Sequence, residues 1–153
     1  MSTWVTIIAE DLRDYLVAAQ VTALRTVALG TGQTDPFDRV TEDVVARIRA
    51  EIQACPRNRV SVTPFTIPPD LKSYACHLII EAMQTRIPRF ELSDSQKKQA
   101  DEARAYLRRI AECKIPVEMP DDPVSAPTVQ SSSGISVVSA PGLTTGRTKL
   151  AGF

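Results

Sequence analysis

The sole histidine of the chain, His77, directly follows Cys76 in the segment DLKSYACHLIIEAMQTR. A cysteine nucleophile needs a base within hydrogen-bond reach and a third group that orients the base. Adjacent residues on a helix point in different directions, and no orienting acid can be assigned to the pair. His77 is therefore expected to pack or to sit at an interface, and no catalytic residue is assigned.

Metal and cofactor chemistry find no better footing. One histidine and three scattered cysteines, Cys55, Cys76 and Cys113, lack the ligand spacing of a zinc site. Their odd count and wide separation read as reduced thiols, packed as small buried hydrophobes. Asp121 and Asp122 fall in a Pro-rich stretch where a rigid oxygen cage is not expected. Glu10 with Asp11, and Glu42 with Asp43, read as helix-start charges favoured by the helix dipole. The glycines of GTGQTDPFDRV, residues 30–40, have no strand before them and no Gly-Lys-Ser/Thr after them. They mark a loop and not a phosphate cradle.

Arg47, Arg49, Arg57 and Arg59 are the one local charge bias. They face either nucleic-acid phosphates, an acidic partner surface or simply water. Over the whole chain, 18 basic residues balance 18 acidic ones. A protein that grips DNA through phosphates shows a basic excess, so such a grip is not the expected main task.

The elements that must position these residues are helical. Hydrophobic residues make up 43% of the 153-residue chain but aromatics only 5%, so the core must rest on aliphatic side chains. A first helix is predicted over residues 9–29, weakening near Ala18 to Val21, and a second over 41–54 with Thr41 as N-cap. Residues 57–69, RNRVSVTPFTIPP, read as extended chain, a short strand or hairpin arm. Pro68 and Pro69 open a third helix over 70–86, bounded by Pro88, with Leu71, Tyr74, Ala75, Leu78, Ile79, Ala82 and Met83 in a core stripe. Ser93 and Gln96 form a capping box for a fourth helix that fades near Cys113. The fold expected is mainly α, a small four-helix-type bundle over residues 1–114.

After Lys114 the composition changes to Pro, Ser, Thr and Gly without periodicity. Residues 115–153 read as an extended, non-globular C-terminal arm. Its two apolar clusters, Ile135 with Val137 and Val138, and Leu150 with Phe153, are candidate anchors on a partner; a disordered linker is the alternative. Met1 to Ala9 lacks a basic n-region and a small-residue cleavage site, so a secretory leader is not expected, and no apolar run approaches the roughly 20 residues of a membrane span.

TEDVVARIRAEI, the extended loop leading to TIPPDLKSYACHLIIEAM, the break RIPRFELS and the closing AYLRRIAECKIPVE together carry a resemblance. Over residues 12–118 the chain resembles the head-to-tail connector (adaptor or head-completion) proteins of tailed bacteriophages, the Mu-like connector and HK97-type adaptor group. The resemblance implies a structural virion protein, made in the host bacterial cytoplasm and placed at the neck. It implies a ring of copies, commonly twelve, under the portal protein. The ring extends the DNA tunnel, lets DNA pass without sequence-specific binding, and docks a tail or stopper protein. From the residues themselves, no membrane partner and no enzymatic activity are expected. Arg57, Arg59, Val60, Val62 and Phe65 in the loop, with Ile135, Val137, Val138, Leu150 and Phe153 in the arm, become partner-binding residues, and Arg47 and Arg49 tunnel or interface charges. The alternative is a small cytosolic helical regulator or binding module with a flexible tail.

Overall fold

The computed structural model describes residues 4–26, 35–85 and 91–122. The chain divides into a compact unit, Met1–Pro123, and a remainder, Val124–Phe153, that lies outside the described residues. Among the described residues the fold is mainly helical, as the sequence predicts.

The predicted first helix is divided. A 3-10 helix, Ala9–Asp14, is followed by a break and then by α1, Ala18–Thr26. The break falls at Tyr15 to Val17 and not at the predicted Ala18 to Val21. The Asp11 carboxylate accepts the Ile8 amide at 2.9 Å and pairs with Lys72 at 2.7 Å, which fixes the tight turn against the start of the third long segment. Leu12 and Leu16 can then both enter the core. Residues 27–34, including the end of the predicted helix and its glycine loop, lie outside the described residues.

The second helix, α2, runs Phe37–Ala54 and begins earlier than predicted. Asp35 supplies the start: one carboxylate oxygen accepts the Phe37 amide at 2.9 Å and the other pairs with Arg25 at 2.5 Å. Thr41 is not a cap. It is buried inside the helix, and its hydroxyl has no hydrogen-bond partner among the described residues. Four residues before it, Phe37 packs into the core, and that burial outweighs a start at Thr41.

Pro69 opens a short 3-10 turn, Pro69–Leu71, that runs into α3, Lys72–Gln84. Ala75, Cys76, Leu78, Ile79, Ile80 and Met83 are all buried, so α3 is the central helix. The predicted boundary at Pro88 lies outside the described residues. The last helix, α4, spans Asp94–Ala111 and carries the predicted capping box: the Gln96 amide donates to Ser93 Oγ, and Gln96 Oε1 accepts the Ser93 amide. Ala100 and Ala103 are fully buried, and their small side chains let α4 lie close to its neighbours. Helices α2, α3 and α4 pack on one another, while α1 packs mainly on the first 3-10 helix. Tyr74 and Tyr106 stack at 4.6 Å between ring centroids, and Arg104 pairs with Glu81 across the same junction and with Asp101 at 2.8 Å.

Candidate assembly surface

Arg49 projects from α2 toward the connection between α2 and α3. Its Nη2 donates to the Ser61 carbonyl at 2.6 Å; its Nη1 donates to the carbonyls of Thr66 at 2.8 Å and Thr63 at 3.2 Å. A planar fork with several donors suits three converging carbonyls in a way that a lysine does not. Residues 57–67 are consequently folded around the guanidinium, and the predicted strand does not form among the described residues. One isolated antiparallel bridge remains, in which Val5 and Ile67 exchange backbone hydrogen bonds of 2.8 and 3.0 Å. Phe65 takes a left-handed backbone, φ 59°, after Pro64. Burial pushes the Arg49 pKa down and the nearby Asp122 carboxylate opposes that shift.

Trp4 closes the other side. Its ring lies 5.7 Å from the Arg49 guanidinium carbon, it is only 5% exposed, and its indole Nε1 donates to the Glu118 carbonyl at 3.1 Å. The chain leaving α4 is thereby held down. Ile115 and Val117 pack against the core. Asp122 then accepts the Val62 amide at 2.9 Å, while Arg59 donates to the Asp122 carbonyl at 3.0 Å. Hydrogen bonds from Ser61 and from the Val62 amide hold the Asp122 carboxyl below its ordinary range. Residues 115–122 therefore form a strap on the core. The compact unit runs to Pro123, past the break in composition at Lys114.

The cysteines correct a second expectation. Cys55, just after α2, and Cys113, just after α4, form a disulfide with Cα atoms 5.3 Å apart. Cys76 alone is a free buried thiol, and burial pushes its pKa up to about 12. Separation of 58 residues in sequence concealed the pairing, because only the packing of α2 beside α4 brings their C-terminal ends together. Cys113 also ends α4. The Lys114 amide donates to the Arg109 carbonyl and the Cys113 amide to the Ile110 carbonyl, a Schellman closure with Cys113 at the left-handed position, φ 59°.

The family profile described as Bacteriophage Mu, Gp36 matches residues 7–135. The chain belongs to the bacteriophage Mu Gp36 family. No curated protein and no solved structure matches it. The Gp36 match takes in the helical core, both cysteines of the disulfide and the whole strap, and continues past Asp122. Among the described residues of this Gp36-family chain, no helix is long and apolar enough to cross a membrane.

The residues singled out in the sequence fall in three places. Arg57 is exposed, Arg59 bonds to the strap, Val60 packs partly on the core, and Val62 and Phe65 are 73% and 48% exposed. Arg47 is exposed on α2, away from Arg49, whose charge is engaged by the loop. Ile135, Val137, Val138, Leu150 and Phe153 lie outside the described residues. His77 meets Tyr15 edge-on at 4.6 Å beside a cavity of about 240 Å³, and burial lowers its pKa. The sequence reasoning missed Trp4 and Asp122. An N-terminal tryptophan in an aromatic-poor chain was the available signal for the first; the second, one of an acidic pair between two prolines, was weighed only as a metal ligand.

Proposed function

We propose that this protein is a structural component of the virion neck, a head-to-tail adaptor whose copies form a ring beneath the portal and dock a tail or stopper protein. Membership of a bacteriophage family supports a phage role. The observation that carries the finer reading is the face built by the 57–67 loop and the strap. There Val62, Phe65 and Met119 are exposed while the backbone beneath them is fixed by Arg49, Trp4 and Asp122. Large apolar side chains presented on a braced backbone suit docking more than solvent. The balanced net charge suits a conduit that must release DNA. In this reading the protein works by assembly and not by catalysis.

The test is reconstitution with purified portal, read by co-sedimentation and negative-stain imaging. The full chain is expected to add a ring of density to portals. A full-length Val62→Glu, Phe65→Glu variant is expected to keep the fold, since both side chains are exposed, but to dock poorly. A full chain that stays unbound would return the protein to the class of small binding modules.

A further inference from the structure

Two adjacent depressions of about 310 and 180 Å³ share Arg47, Leu78 and Arg104 and form one groove where α2, α3 and α4 meet. Its floor is aliphatic, from Val44, Leu78 and Leu107. Arg104 is already paired with Glu81 and Asp101, whereas Arg47 and Arg108 enter no ion pair among the described residues. Among the described residues, Glu51 is the one lining acid outside a salt bridge. The groove therefore offers two guanidinium groups outside any salt bridge, Arg108 also facing the field of Glu112 one turn on, beside an apolar floor.

The strap offers the complement. Met119 is 45% exposed and lies between the exposed acids Glu118 and Asp121. The knob is held on both sides, by Trp4 at the Glu118 carbonyl and by Val62 at the Asp122 carboxylate. An apolar tip flanked by carboxylates, already ordered, loses little entropy on docking.

The knob cannot reach its own groove. Arg49 faces the loop, Trp4 and the strap. Arg47 lies two residues away on the same helix and so points about 200° around it. Knob and groove thus lie on different sides of α2, and only another molecule can join them.

We propose that the Met119 knob of one copy docks in the Arg47–Leu78–Arg108 groove of a second copy of this chain. The contact is heterologous: each copy uses one face as knob and the other as groove, so each docked copy leaves a free knob and a free groove. Such contacts propagate and close into a ring when the rotation allows. The proposal deepens the adaptor reading and rests on it for its biological setting, but its physical content is separate.

Two full-length variants test it, after circular dichroism has shown both to be folded. Arg47→Glu with Arg108→Glu disables the groove and leaves the knob. Met119→Glu with Asp121→Arg disables the knob and leaves the groove. In sedimentation velocity over rising concentration, the wild-type chain is expected to form species larger than dimers. Each variant alone is expected to self-associate at least about tenfold more weakly. Their mixture is expected to give one-to-one dimers and nothing larger, because only one competent knob and one competent groove meet. Wild type that stays monomeric, variants that assemble normally, or a mixture that gives no dimer would each overturn the proposal. Portal binding by the wild type is measured in parallel. Portal docking with unaltered self-association in the variants sinks the groove and spares the adaptor reading; groove-dependent self-association without portal docking does the reverse.

Discussion

Cys113 holds a left-handed backbone at the end of α4 and is bonded through sulfur to Cys55 at the end of α2. That position in a Schellman closure is usually glycine, because a Cβ there is crowded by roughly 1 kcal/mol. The cross-link closes a long loop and should stabilise the fold by about 4 kcal/mol on the chain-entropy account. Urea unfolding with and without reductant measures this. Under reducing conditions Cys113→Gly is expected to be more stable than Cys113→Ala by about 1 kcal/mol, since glycine relieves the backbone. Equal stabilities would mean that the left-handed turn relaxes once the bond is broken.

Arg49 satisfies three loop carbonyls that water would otherwise have to reach. Arg49→Ala should destabilise by about 2 kcal/mol, the range for losing partners of partly buried polar groups. Arg49→Lys should recover little, because an ammonium cannot address three acceptors in a plane. Limited trypsin digestion gives a local reading. Cleavage after Arg57 and Arg59 should speed up in both variants before global unfolding does.

Asp122 sets an acid limit on the strap. Its carboxyl is held below the ordinary aspartate value of about 3.9, so the folded state prefers the charged form. The stabilisation is complete above the unfolded value and is lost as pH falls through the depressed folded value. The protection factor of the Val62 amide, its exchange rate relative to an unstructured amide at the same pH, should therefore fall at strongly acidic pH and stay constant between pH 5 and 8. Asp122→Asn should show fast exchange at neutral pH and lose the acid step. Persistence of that step would assign it to another carboxyl.

Cys76 should be inert while the fold stands. Its buried thiol, raised to about 12, carries almost no thiolate near neutral pH. A chromogenic disulfide reagent at mildly alkaline pH should find no reactive thiol in the native, oxidised protein and one after denaturation. Rapid native labelling would show that α3 opens far more readily than its packing suggests.

The helical register was legible wherever an apolar stripe faced the core and a polar face met solvent. Most of the α3 stripe and the capping box of Ser93 and Gln96 follow directly from residue spacing; Cys76 and Ile80 are buried as well because α3 is covered on more than one side. The start of α2 was not legible, because Asp35 and Arg25 decide it from outside the periodic segment. Thr41 had the composition of a cap and the burial of a core residue. The loop misled for a related reason: Val60, Val62 and the neighbouring threonines alternate like a strand, but Arg49 gathers the carbonyls that a sheet would need. Of the candidate surface, Val62 and Phe65 were singled out only through the family resemblance; their exposure comes from the structure. Trp4, the Cys55–Cys113 bond and Asp122 act across the chain, where spacing carries no signal.

The strap also determines how the molecule responds to tension. A pull on the chain beyond Asp122 loads the Val62 and Arg59 hydrogen bonds first, then the Trp4 indole, then Val117 and Ile115 in turn. These yield one at a time, as in a zipper opened from its end. The next link is Cys113, and there the load passes through sulfur to the end of α2. Helix α4 does not unravel, because the force leaves it at its last turn. Peeling by traction thus has a covalent stop where the ends of α2 and α4 are joined.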